Sequence, residues 1–509
     1  MQLSRNSLKN IAERAEVVIP DEEIFSLPEK VLQFGTGVLL RGLPDYVIDK
    51  ANRQQLFNGR VVVVKSTSSP GIDDFALQDN LYTLCVRGIE HEKMMEEFII
   101  NSSISRVLSA KENWDDVLRC AHNPDLKIVI SNTTEVGIAL TEDDIHLSPP
   151  KSFPGKLLAF LHERYIAFKD NNDSGLIVIP TELITDNGQK LRSIVLELAR
   201  MNRLDHQFIH WLEHANHFCN SLVDRIVPGK LQEDDRRNTE SRLGYKDRLM
   251  IMTESFRLWA IESADPNVVK FLSFAAADQG VIIAPNIEKF RELKLRLLNG
   301  THSFSCGLAF LAGFKTVREA MNDSTMSSFV CGLASREIAM SIVSEKISYV
   351  EACDFADKVM DRFRNPFLNH AWLNIAVQYS SKMKMRNVPL IVEHFNKYGR
   401  VPHHMALGFA AYILFMKCNR TQDGDYIGHW NGYQYPVEDD HASSFAEKWK
   451  FSKETEVVNL VLADPFWESD LSSLNGFGDA VKRNLRSLIQ KGVLMTIREI
   501  ELNKTAVGS

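Results

Sequence analysis

The first half of the chain alternates short, uninterrupted apolar runs with longer segments that have helical spacing. Uninterrupted apolar runs are typical of strands buried on both faces, and strands that alternate with helices form mostly parallel sheets. The strand-like runs are VLQF (31–34), VVVV (61–64), LKIVIS (126–131), GLIVIP (175–180) and SLVDRIV (221–227), and the helical segments are 39–52, 112–120 and 157–168. The pattern therefore predicts an α/β domain whose parallel sheet carries helices on both sides.

The second half changes character at about residue 286, after which strand-like runs become scarce. Helical spacing continues over 287–298, 307–322, 327–343, 348–363 and 404–416. The polar segment 419–441 is predicted to be a long surface excursion, and the charge-rich segment 230–248 a solvated connection or helix. We therefore expect an N-terminal α/β domain at 1–288 and a mainly α-helical domain at 289–509.

Composition and charge exclude several classes of function. The formal net charge of −7 disfavours a general nucleic-acid binder. The seven cysteines are dispersed without a CxxC pair, which is typical of reduced thiols in a cytosolic protein rather than of disulfides or a zinc site. His403 and His404 are adjacent and so point in different directions, and we expect no metal. Neither a membrane span nor an apolar signal segment is visible, so we expect a cytoplasmic protein.

A glycine-containing turn follows the first predicted strand. The segment that leads from this strand into the next helix is Gln33-Phe34-Gly35-Thr36-Gly37-Val38-Leu39-Leu40-Arg41. A strand–Gly-x-Gly–helix unit offers backbone N–H groups to the pyrophosphate of a dinucleotide, and side chains at the glycines would block that approach. The usual third glycine is replaced by Leu40, so an ordinary strand–helix turn explains the pattern equally well.

Two further segments follow predicted strands at the edge where a dinucleotide would bind. Lys65 comes after VVVV, at the position where an acidic residue would bind the ribose hydroxyls of NAD. A lysine there could instead bind the extra phosphate of NADP, or simply face solvent at the strand end. The choice between NAD and NADP therefore stays open. Asn132 and Thr133 follow the run at 126–131, and we expect them to contact the nicotinamide side. The same residues are also typical of a helix N-cap with Glu135 in the first turn.

The candidate catalytic residues are Lys294, Asn299 and His302 in KLRLLNGTH (294–302). On an ideal α-helix, Asn299 lies about 140° and His302 about 80° around the axis from Lys294, so the three share one broad face. Carbonyl reduction needs a proton donor, which a desolvated lysine provides, and polar groups around the oxygen that gains negative charge. Gly300 within a helix costs stability, which is easier to understand if another group approaches closely there. Such residues are also common on ordinary helices, so spacing alone leaves a structural role open.

Seven ordered motifs resemble the long-chain mannitol dehydrogenase family, in particular its altronate oxidoreductase (tagaturonate reductase) branch. They span nearly the whole chain and are VLQFGTGVLLRG (31–42), SNTTEVGI (131–138), PTELITDNG (180–188), NSLVDRIV (220–227), LKLRLLNGTHS (293–303), EAMND (319–323) and RFRNP (362–366). The branch is indicated by SNTTE, by the Asn299-Gly300 pair, and by Thr181-Glu182, where polyol-acting relatives carry an Asn-containing segment.

This resemblance implies the roles of the site residues. It implies a Rossmann-like domain that binds NAD through the segment Val31 to Gly42, and a helical substrate domain, with the active site between them and no metal. In the family's KxxxxNxxH motif, the lysine matched by Lys294 is the general acid/base, while the residues matched by Asn299 and His302 hold the reacting oxygen.

The resemblance also implies a substrate and the residues that bind it. The branch reduces D-tagaturonate to D-altronate with NADH in hexuronate catabolism, and such a carboxylate requires Arg or Lys. Arg362 and Lys382 match basic positions of the family's substrate pocket, and the further candidates are Arg364, Arg386 and His370. A monomer or weak homo-oligomer is expected.

Three alternatives to this function stay open at the level of the sequence. A fructuronate reductase and a mannitol 2-dehydrogenase share the chemistry and the family, and they differ in one stereocentre or one carboxylate of the substrate. A catalytically silent NAD-binding sensor would bind the cofactor without turnover.

Overall fold

The structure is a computed structural model, which describes residues 1–11, 16–66, 72–133, 137–168 and 171–505. Glu135 of the SNTTE motif, and with it the expectation that it begins a helix, lies outside the described residues. The chain divides into two compact units. The first comprises Met1–Gly88 and Met94–Ile287, and the second comprises Ile89–Lys93 and Glu288–Ser509.

The main sheet has six strands, all of whose neighbouring pairs are parallel, in the order β6-β3-β2-β7-β8-β9. These strands are β2 (Glu29–Phe34), β3 (Arg60–Lys65), β6 (Ile104–Ser109), β7 (Ile128–Ser131), β8 (Ile177–Pro180) and β9 (His217–Phe218). A four-stranded sheet contains β1 (Val17–Val18), β4 (Tyr82–Glu90), β5 (Lys93–Asn101) and β11 (Ile251–Glu254). A three-stranded sheet contains β10 (Ser221–Asp224), β12 (Leu258–Glu262) and β13 (Val281–Ala284).

Ten α-helices of the described residues precede Ile287. They are α1 (Leu8–Ile11), α2 (Val38–Gly42), α3 (Pro44–Arg53), α4 (Ile72–Leu77), α5 (Trp114–Arg119), α6 (Phe153–Phe168), α7 (Asn187–Met201), α8 (His206–His214), α9 (Glu233–Leu243) and α10 (Pro266–Phe271). Short 3-10 turns occur at Arg5–Ser7, Glu22–Ser26, Cys120–His122, Asn172–Ser174 and Ser273–Ala277. The charge-rich segment 230–248, predicted as a connection or helix, contains α9.

Alternate side chains of the central strands lie on opposite faces of the six-stranded sheet. Leu32 and Val62 belong to one buried cluster, together with residues of α5, α6, α7 and α8. Val31 and Val61 belong to a second buried cluster, together with residues of α3. Because both faces of each strand are covered, the strands are apolar without interruption, and the predicted parallel sheet with helices on both sides is confirmed.

The second unit is built mainly of helices. Its α-helices are α11 (Glu288–Leu293), α12 (Thr301–Leu311), α13 (Val317–Asn322), α14 (Ser324–Gly332), α15 (Ala339–Ile342), α16 (Tyr349–Arg364), α17 (Trp372–Ala376), α18 (Tyr379–Lys382), α19 (Val388–Tyr398), α20 (His403–Phe415), α21 (Ala442–Phe451), α22 (Glu454–Leu462), α23 (Phe477–Lys491) and α24 (Val493–Thr505). Two 3-10 turns lie at Pro465–Trp467 and Leu471–Ser473. Nearly every side chain of α20 is buried, and α20 packs against α12 and α23, so it forms the centre of this unit.

Three segments of the second unit are π-helices, in which each N–H bonds the carbonyl five residues earlier. They are Lys294–Gly300, Leu333–Ile338 and Met383–Asn387, and the first contacts both of the others. Since π-helices are rare and frequent at functional sites, three of them in contact single out this region.

One sequence expectation about this unit was wrong. The helix expected over 307–322 ends at Leu311, because Gly313 adopts a φ of +98° and Thr316 begins α13 with a capping box to Glu319. The segment 419–441, expected to be a long surface excursion, is largely exposed and contributes most of an antiparallel sheet of β14 (Cys418–Arg420), β15 (Tyr426–Trp430) and β16 (Tyr433–Pro436).

Candidate active site

The glycine-containing turn after β2 is shaped by Gly35. Its φ is +126°, a value that L side chains rarely adopt, and its N–H donates to the carbonyl of Val64 at 2.9 Å. A Cβ at this position would lie 2.9 Å from Cδ1 of Leu40 and 3.1 Å from the carbonyl oxygen of Asn132. Leu40, which stands where a third glycine is usual, is fully buried under the turn and thereby closes it.

Gly37 has the opposite surroundings to Gly35. It is exposed, and a Cβ at this position would meet no atom within 4 Å. Gly37 precedes the first residue of α2, whose first N–H groups have no partner within the helix. Backbone N–H groups at a helix start that follows the carboxyl end of a parallel strand fit the pyrophosphate of a dinucleotide.

The other residues predicted to bind the cofactor divide into open and buried ones. Thr36, Val38 and Leu39 are partly exposed along the turn. Phe34 is 1% exposed and packs edge-on against Phe153. The turn can therefore offer its backbone and the partly exposed side chains to a ligand, whereas Phe34 supports it from below.

Arg41 and Lys65 are buried as well. The Arg41 guanidinium donates from Nη1 to the carbonyl of Leu249 at 2.8 Å and lies 5.4 Å from the ring centroid of Tyr82. Burial lowers the pKa of Arg41. Lys65 is 7% exposed, so it is not the solvent-facing lysine that the sequence left open.

A buried acid that the sequence analysis missed lies beside the turn. Gln33 donates from Nε2 to the carbonyl of Gly35 and to Oδ2 of Asp45, both at 3.3 Å. Asp45 is fully buried, and burial raises its pKa to about 7. Oε1 of Gln33 and Oδ1 of Asp45 are buried without a hydrogen-bond partner among the described residues. A proton on Asp45 would add a hydrogen-bond donor to this group of buried acceptors.

The ends of β7 and β8 are joined by Glu182. Its carboxylate accepts hydrogen bonds from the N–H of Thr133 at 2.8 Å and from the hydroxyl of Ser131 at 3.2 Å. Asn132 donates from Nδ2 to the carbonyl and the hydroxyl of Thr181 at 3.1 Å. Asn132 and Thr133 are thus fixed at the carboxyl edge of the sheet, and the described residues 137–152 that follow contain no helix. The motif PTEL contained the signal for Glu182, which the sequence analysis used only to assign the branch.

The π-helix Lys294–Gly300 changes the expected geometry of the predicted catalytic residues. On an α-helix, residues 294 and 299 would point about 140° apart. In a π-helix, hydrogen bonds that join residues five apart bring residue 299 close to alignment with residue 294. The spacing KxxxxN, which is awkward on an α-helix, therefore places Lys294 and Asn299 on one side. Both side chains are partly exposed, and Asn299 makes no side-chain hydrogen bond within the described part of the chain.

His302 lies in the first turn of α12, which continues this π-helix. The imidazole is 8% exposed and stacks on the ring of Phe363 with centroids 4.1 Å apart. Its Nε2 is buried and has no hydrogen-bond partner among the described residues. Burial, together with the nearby His370, Arg362 and other cations, lowers the pKa of His302 well below its usual range, so the ring is neutral at neutral pH.

Basic side chains surround His302. Arg362, Arg386 and Lys382 are all close enough to lower its pKa, and Lys382 and Arg362 also lower the pKa of His370 after burial. Lys382 donates from Nζ to the carbonyl of Ile375 at 2.9 Å. This concentration of positive charge around a buried, unpaired imidazole nitrogen suits a small anionic ligand.

Arg364, another candidate from the sequence, points to different partners. Its Nη1 lies 3.9 Å from Oε1 of Glu92, and its Nη2 donates to Sγ of Cys331 at 3.7 Å. The structure thus brings Arg362, Lys382, Arg386 and His370 together with His302, and gives Arg364 other contacts.

Gly300 allows two segments to approach each other closely. A Cβ at this position would lie 3.3 Å from Cδ1 of Leu390, and its carbonyl accepts a hydrogen bond from Nδ2 of Asn387 at 3.0 Å. The π-helix Lys294–Gly300 is thereby held against the π-helix Met383–Asn387.

No three His, Cys, Asp or Glu side chains of the described residues come together as ligands of a metal ion. No helix among these residues has the length and apolar composition needed to cross a membrane.

Comparison with protein families matches both units. The Mannitol dehydrogenase Rossmann domain matches residues 29–270, and the Mannitol dehydrogenase C-terminal domain matches residues 286–489. Altronate oxidoreductase of Bacillus subtilis is 40% identical over 399 residues, which are 78% of this chain and 82% of that protein. Altronate oxidoreductase of Halalkalibacterium halodurans is 36% identical over 483 residues, which are 92% of this chain and 93% of that protein.

Two solved structures share the fold. The ternary complex of Pseudomonas fluorescens mannitol 2-dehydrogenase with NAD and D-mannitol has a TM-score of 0.65 at 23% identity, and the match covers 98% of this chain and 99% of that chain. A substrate-free D-sorbitol dehydrogenase has a TM-score of 0.77 at 20% identity, and the match covers 98% of this chain and 100% of that chain. At such identities the likeness bears on the fold alone, and it confirms the predicted Rossmann-like domain followed by a mainly helical one.

Proposed function

Because the chain belongs to the mannitol dehydrogenase family, we propose that it is an altronate oxidoreductase, which reduces D-tagaturonate to D-altronate with NADH and catalyses the reverse oxidation. The observation that carries the proposal is the neutral, buried imidazole of His302, whose Nε2 is unpaired and which several cationic side chains surround. This site offers a hydrogen-bond donor and positive charge. A keto sugar acid matches both, because its carbonyl oxygen accepts a hydrogen bond and its carboxylate carries negative charge.

The turn around Gly35 and Gly37 would hold the cofactor. Its backbone N–H groups would bind the pyrophosphate, and Asn132 and Thr133 at the end of β7 would contact the nicotinamide side. When bound, the reduced nicotinamide supplies the hydride. NAD is proposed rather than NADP because Lys65, the basic residue at the end of β3, is buried and so is poorly placed to bind an additional phosphate in solvent.

Three residues of the helical unit would act on the substrate oxygen. Lys294 donates a proton to the oxygen that becomes the new hydroxyl, and takes it back in the oxidation. Asn299 and His302 donate hydrogen bonds to the same oxygen and so stabilise its developing negative charge. Because the pKa of His302 is low, its ring donates a hydrogen bond without transferring its proton, which leaves Lys294 as the acid.

The cationic surroundings of His302 also favour an acid over a polyol as the substrate. Lys382 and Arg386 repel each other, and the charge of Arg386 lowers the pKa of Lys382. Both charges also lower the pKa of His302, and a bound anion would counteract these effects. A sugar acid relieves this repulsion, whereas mannitol does not. Assembly as a monomer or weak homo-oligomer, and a cytoplasmic location, stay predictions from the sequence.

A substrate panel tests the proposal. The loss of NADH absorbance should be measured with D-tagaturonate, D-fructuronate and D-fructose, each with NADH and with NADPH. We expect the highest kcat/KM with D-tagaturonate and NADH. A preference for D-fructuronate or D-fructose would assign the chain to a different activity of the family, and cofactor binding without any turnover would indicate a sensor.

A further inference from the structure

We propose that Arg386 binds the carboxylate of the substrate through the Nε–Nη2 edge of its guanidinium, and that it thereby selects sugar acids against neutral sugars. This inference rests on the proposed function and adds to it the residue that sets the substrate class. Arg386 lies in the π-helix Met383–Asn387, outside the KxxxxNxxH motif.

The guanidinium of Arg386 is tied to the helix that carries the catalytic residues. Its Nη1 donates to the hydroxyl of Ser303 at 3.2 Å. The same hydroxyl donates to the backbone carbonyl of Asn299 at 3.0 Å. Ser303 also follows His302 directly, so these bonds fix the guanidinium relative to both residues that would hold the reacting oxygen.

The backbone of Arg386 is held in the same way. Its carbonyl accepts a hydrogen bond from Nη1 of Arg296 at 2.9 Å, and the neighbouring Asn387 donates to the carbonyl of Gly300 at 3.0 Å. The absence of a side chain at Gly300 permits this approach, since a Cβ there would lie 3.3 Å from Leu390. A group placed this firmly can discriminate between ligands, because it loses little conformational freedom when it binds.

The other edge of the guanidinium has no partner among the described residues. Nε of Arg386 is buried and makes no hydrogen bond among the described residues. Within the described part of the chain, Arg386 forms no ion pair with a carboxylate, and its side chain donates a hydrogen bond from Nη1 alone. An unpaired buried donor is costly, and the Nε–Nη2 edge presents two parallel N–H groups that match the two oxygens of a carboxylate.

The charges around Arg386 favour an anion at this edge. Burial and the Arg386 charge lower the pKa of Lys382, whereas Asp439 acts weakly in the opposite direction. Asp439 is itself bonded to the backbone N–H of Ser380 at 2.6 Å. Positive charge is therefore in excess here, and a substrate carboxylate supplies the missing counter-charge.

Arg386 fits this role better than Lys382 and Arg364. Lys382 already donates to the carbonyl of Ile375, and an ammonium group lacks the planar pair of donors. Arg364 is engaged with Glu92 and Cys331. Arg386 differs from both in keeping one edge of its guanidinium unpaired among the described residues while Ser303 holds the other.

The test compares Arg386→Met with a matched control from the same π-helix. Lys384→Met removes one positive charge as well, but Lys384 pairs with Glu468 at 2.7 Å on the outside. Kinetics with NADH should be measured for D-tagaturonate and for D-tagatose, its neutral analogue, with an inhibition constant where D-tagatose is not turned over. We expect Arg386→Met to raise the KM for D-tagaturonate about 10- to 100-fold with a smaller change in kcat.

The remaining outcomes separate the proposal from its competitors. For D-tagatose, the KM or inhibition constant of Arg386→Met should change less than about threefold, and Lys384→Met should leave both sugars unchanged. A KM for D-tagaturonate within about twofold of the wild type, or an equal loss for both sugars, would overturn the role of Arg386. If circular dichroism shows that Arg386→Met does not fold, Arg386→Lys decides: its KM for D-tagaturonate should rise while kcat is kept, and an unchanged KM overturns the role. A wild type that does not prefer D-tagaturonate to D-tagatose contradicts the proposed function itself.

Discussion

Asn in place of Asp45 should make the first unit more stable, and increasingly so as the pH rises. Asp45 is fully buried beside the nucleotide turn, near Arg41 and Asp49, and burial raises its pKa from 3.8 to about 7. This difference corresponds to about 4 kcal/mol against ionisation in the folded state. Asn carries no charge at any pH, and its amide can donate to the unpaired Oε1 of Gln33 as a protonated Asp45 would.

The sign of the effect follows from proton binding. Between pH 3.8 and about 7, the folded chain keeps the Asp45 proton that the unfolded chain has lost. The contribution of Asp45 to stability is therefore fully present below 3.8 and decreases until the pH passes about 7. The free energy of unfolding of Asp45→Asn relative to the wild type should increase by about 2 to 3 kcal/mol from about pH 5 to about pH 8, and then stay level.

The assay must report on the first unit alone, because a chain of two units need not unfold in one step. Urea unfolding followed by hydrogen exchange and mass spectrometry, read in peptides from β2 and α3, meets this requirement. Asp115→Asn, the same change at an exposed position of α5, serves as the control and should show no such trend. A difference between Asp45→Asn and the wild type that is constant from pH 5 to pH 8 would refute the reasoning, because it would mean that Asp45 does not titrate in this range.

Three further predictions concern the two candidate sites. Lys294→Ala should reduce kcat by several orders of magnitude while the dissociation constant of NADH stays unchanged. A kcat above about a tenth of the wild-type value would exclude Lys294 as the acid. Lys289→Ala, a substitution nearby on the surface, is the control. Gly35→Ala should lower the free energy of unfolding by more than about 1 kcal/mol because of the φ of +126° at this position. Gly37→Ala should leave stability unchanged and weaken NADH binding. Equal effects of the two variants on stability would contradict the proposed turn. Lys382→Ala should raise the KM for D-tagaturonate with little effect on NADH affinity, and an unchanged KM would leave Lys382 without a role in binding.

The central strands could be predicted from the sequence because both of their faces are covered. The apolar runs at 31–34, 61–64 and 175–180 overlap β2, β3 and β8, respectively. Helices bury residues of these strands on each side of the sheet. The strands β4 and β5 escaped prediction because charged residues interrupt them. Arg87 within β4 is compensated by Glu96 at 2.8 Å and by Asp235 at 2.6 Å. Such pairing depends on a distant part of the chain, and no local pattern reveals it.

The candidate site could be predicted in composition but not in geometry. Lys294, Asn299 and His302 were recognised by type and order, but an α-helix was assumed for all three. The π-helix packs against the segment at Arg386, and the absence of a side chain at Gly300 is one local sign of that approach. Their catalytic roles, and those of the cofactor-binding residues, stay predictions until variants are measured.

The buried partners of the site residues were the least predictable part. Asp45 and Glu182 read as ordinary acidic residues after a proline or a threonine. Their importance comes from tertiary contacts: Asp45 faces Gln33 under the turn, and Glu182 binds Thr133 on the adjacent strand end. Sequence spacing carries no information about which acid becomes buried.

In the proposed reaction, hydride passes directly from the cofactor to the keto carbon of a sugar acid while Lys294 supplies the proton. The most direct measurement uses NADH deuterated at the transferring position of the nicotinamide, with D-tagaturonate in ordinary water, and locates the label in the product by NMR. The account predicts one deuterium on the carbon of the new secondary alcohol of D-altronate, and loss of this product in Lys294→Ala. Product without deuterium at that carbon, or undiminished labelling in Lys294→Ala, would contradict it.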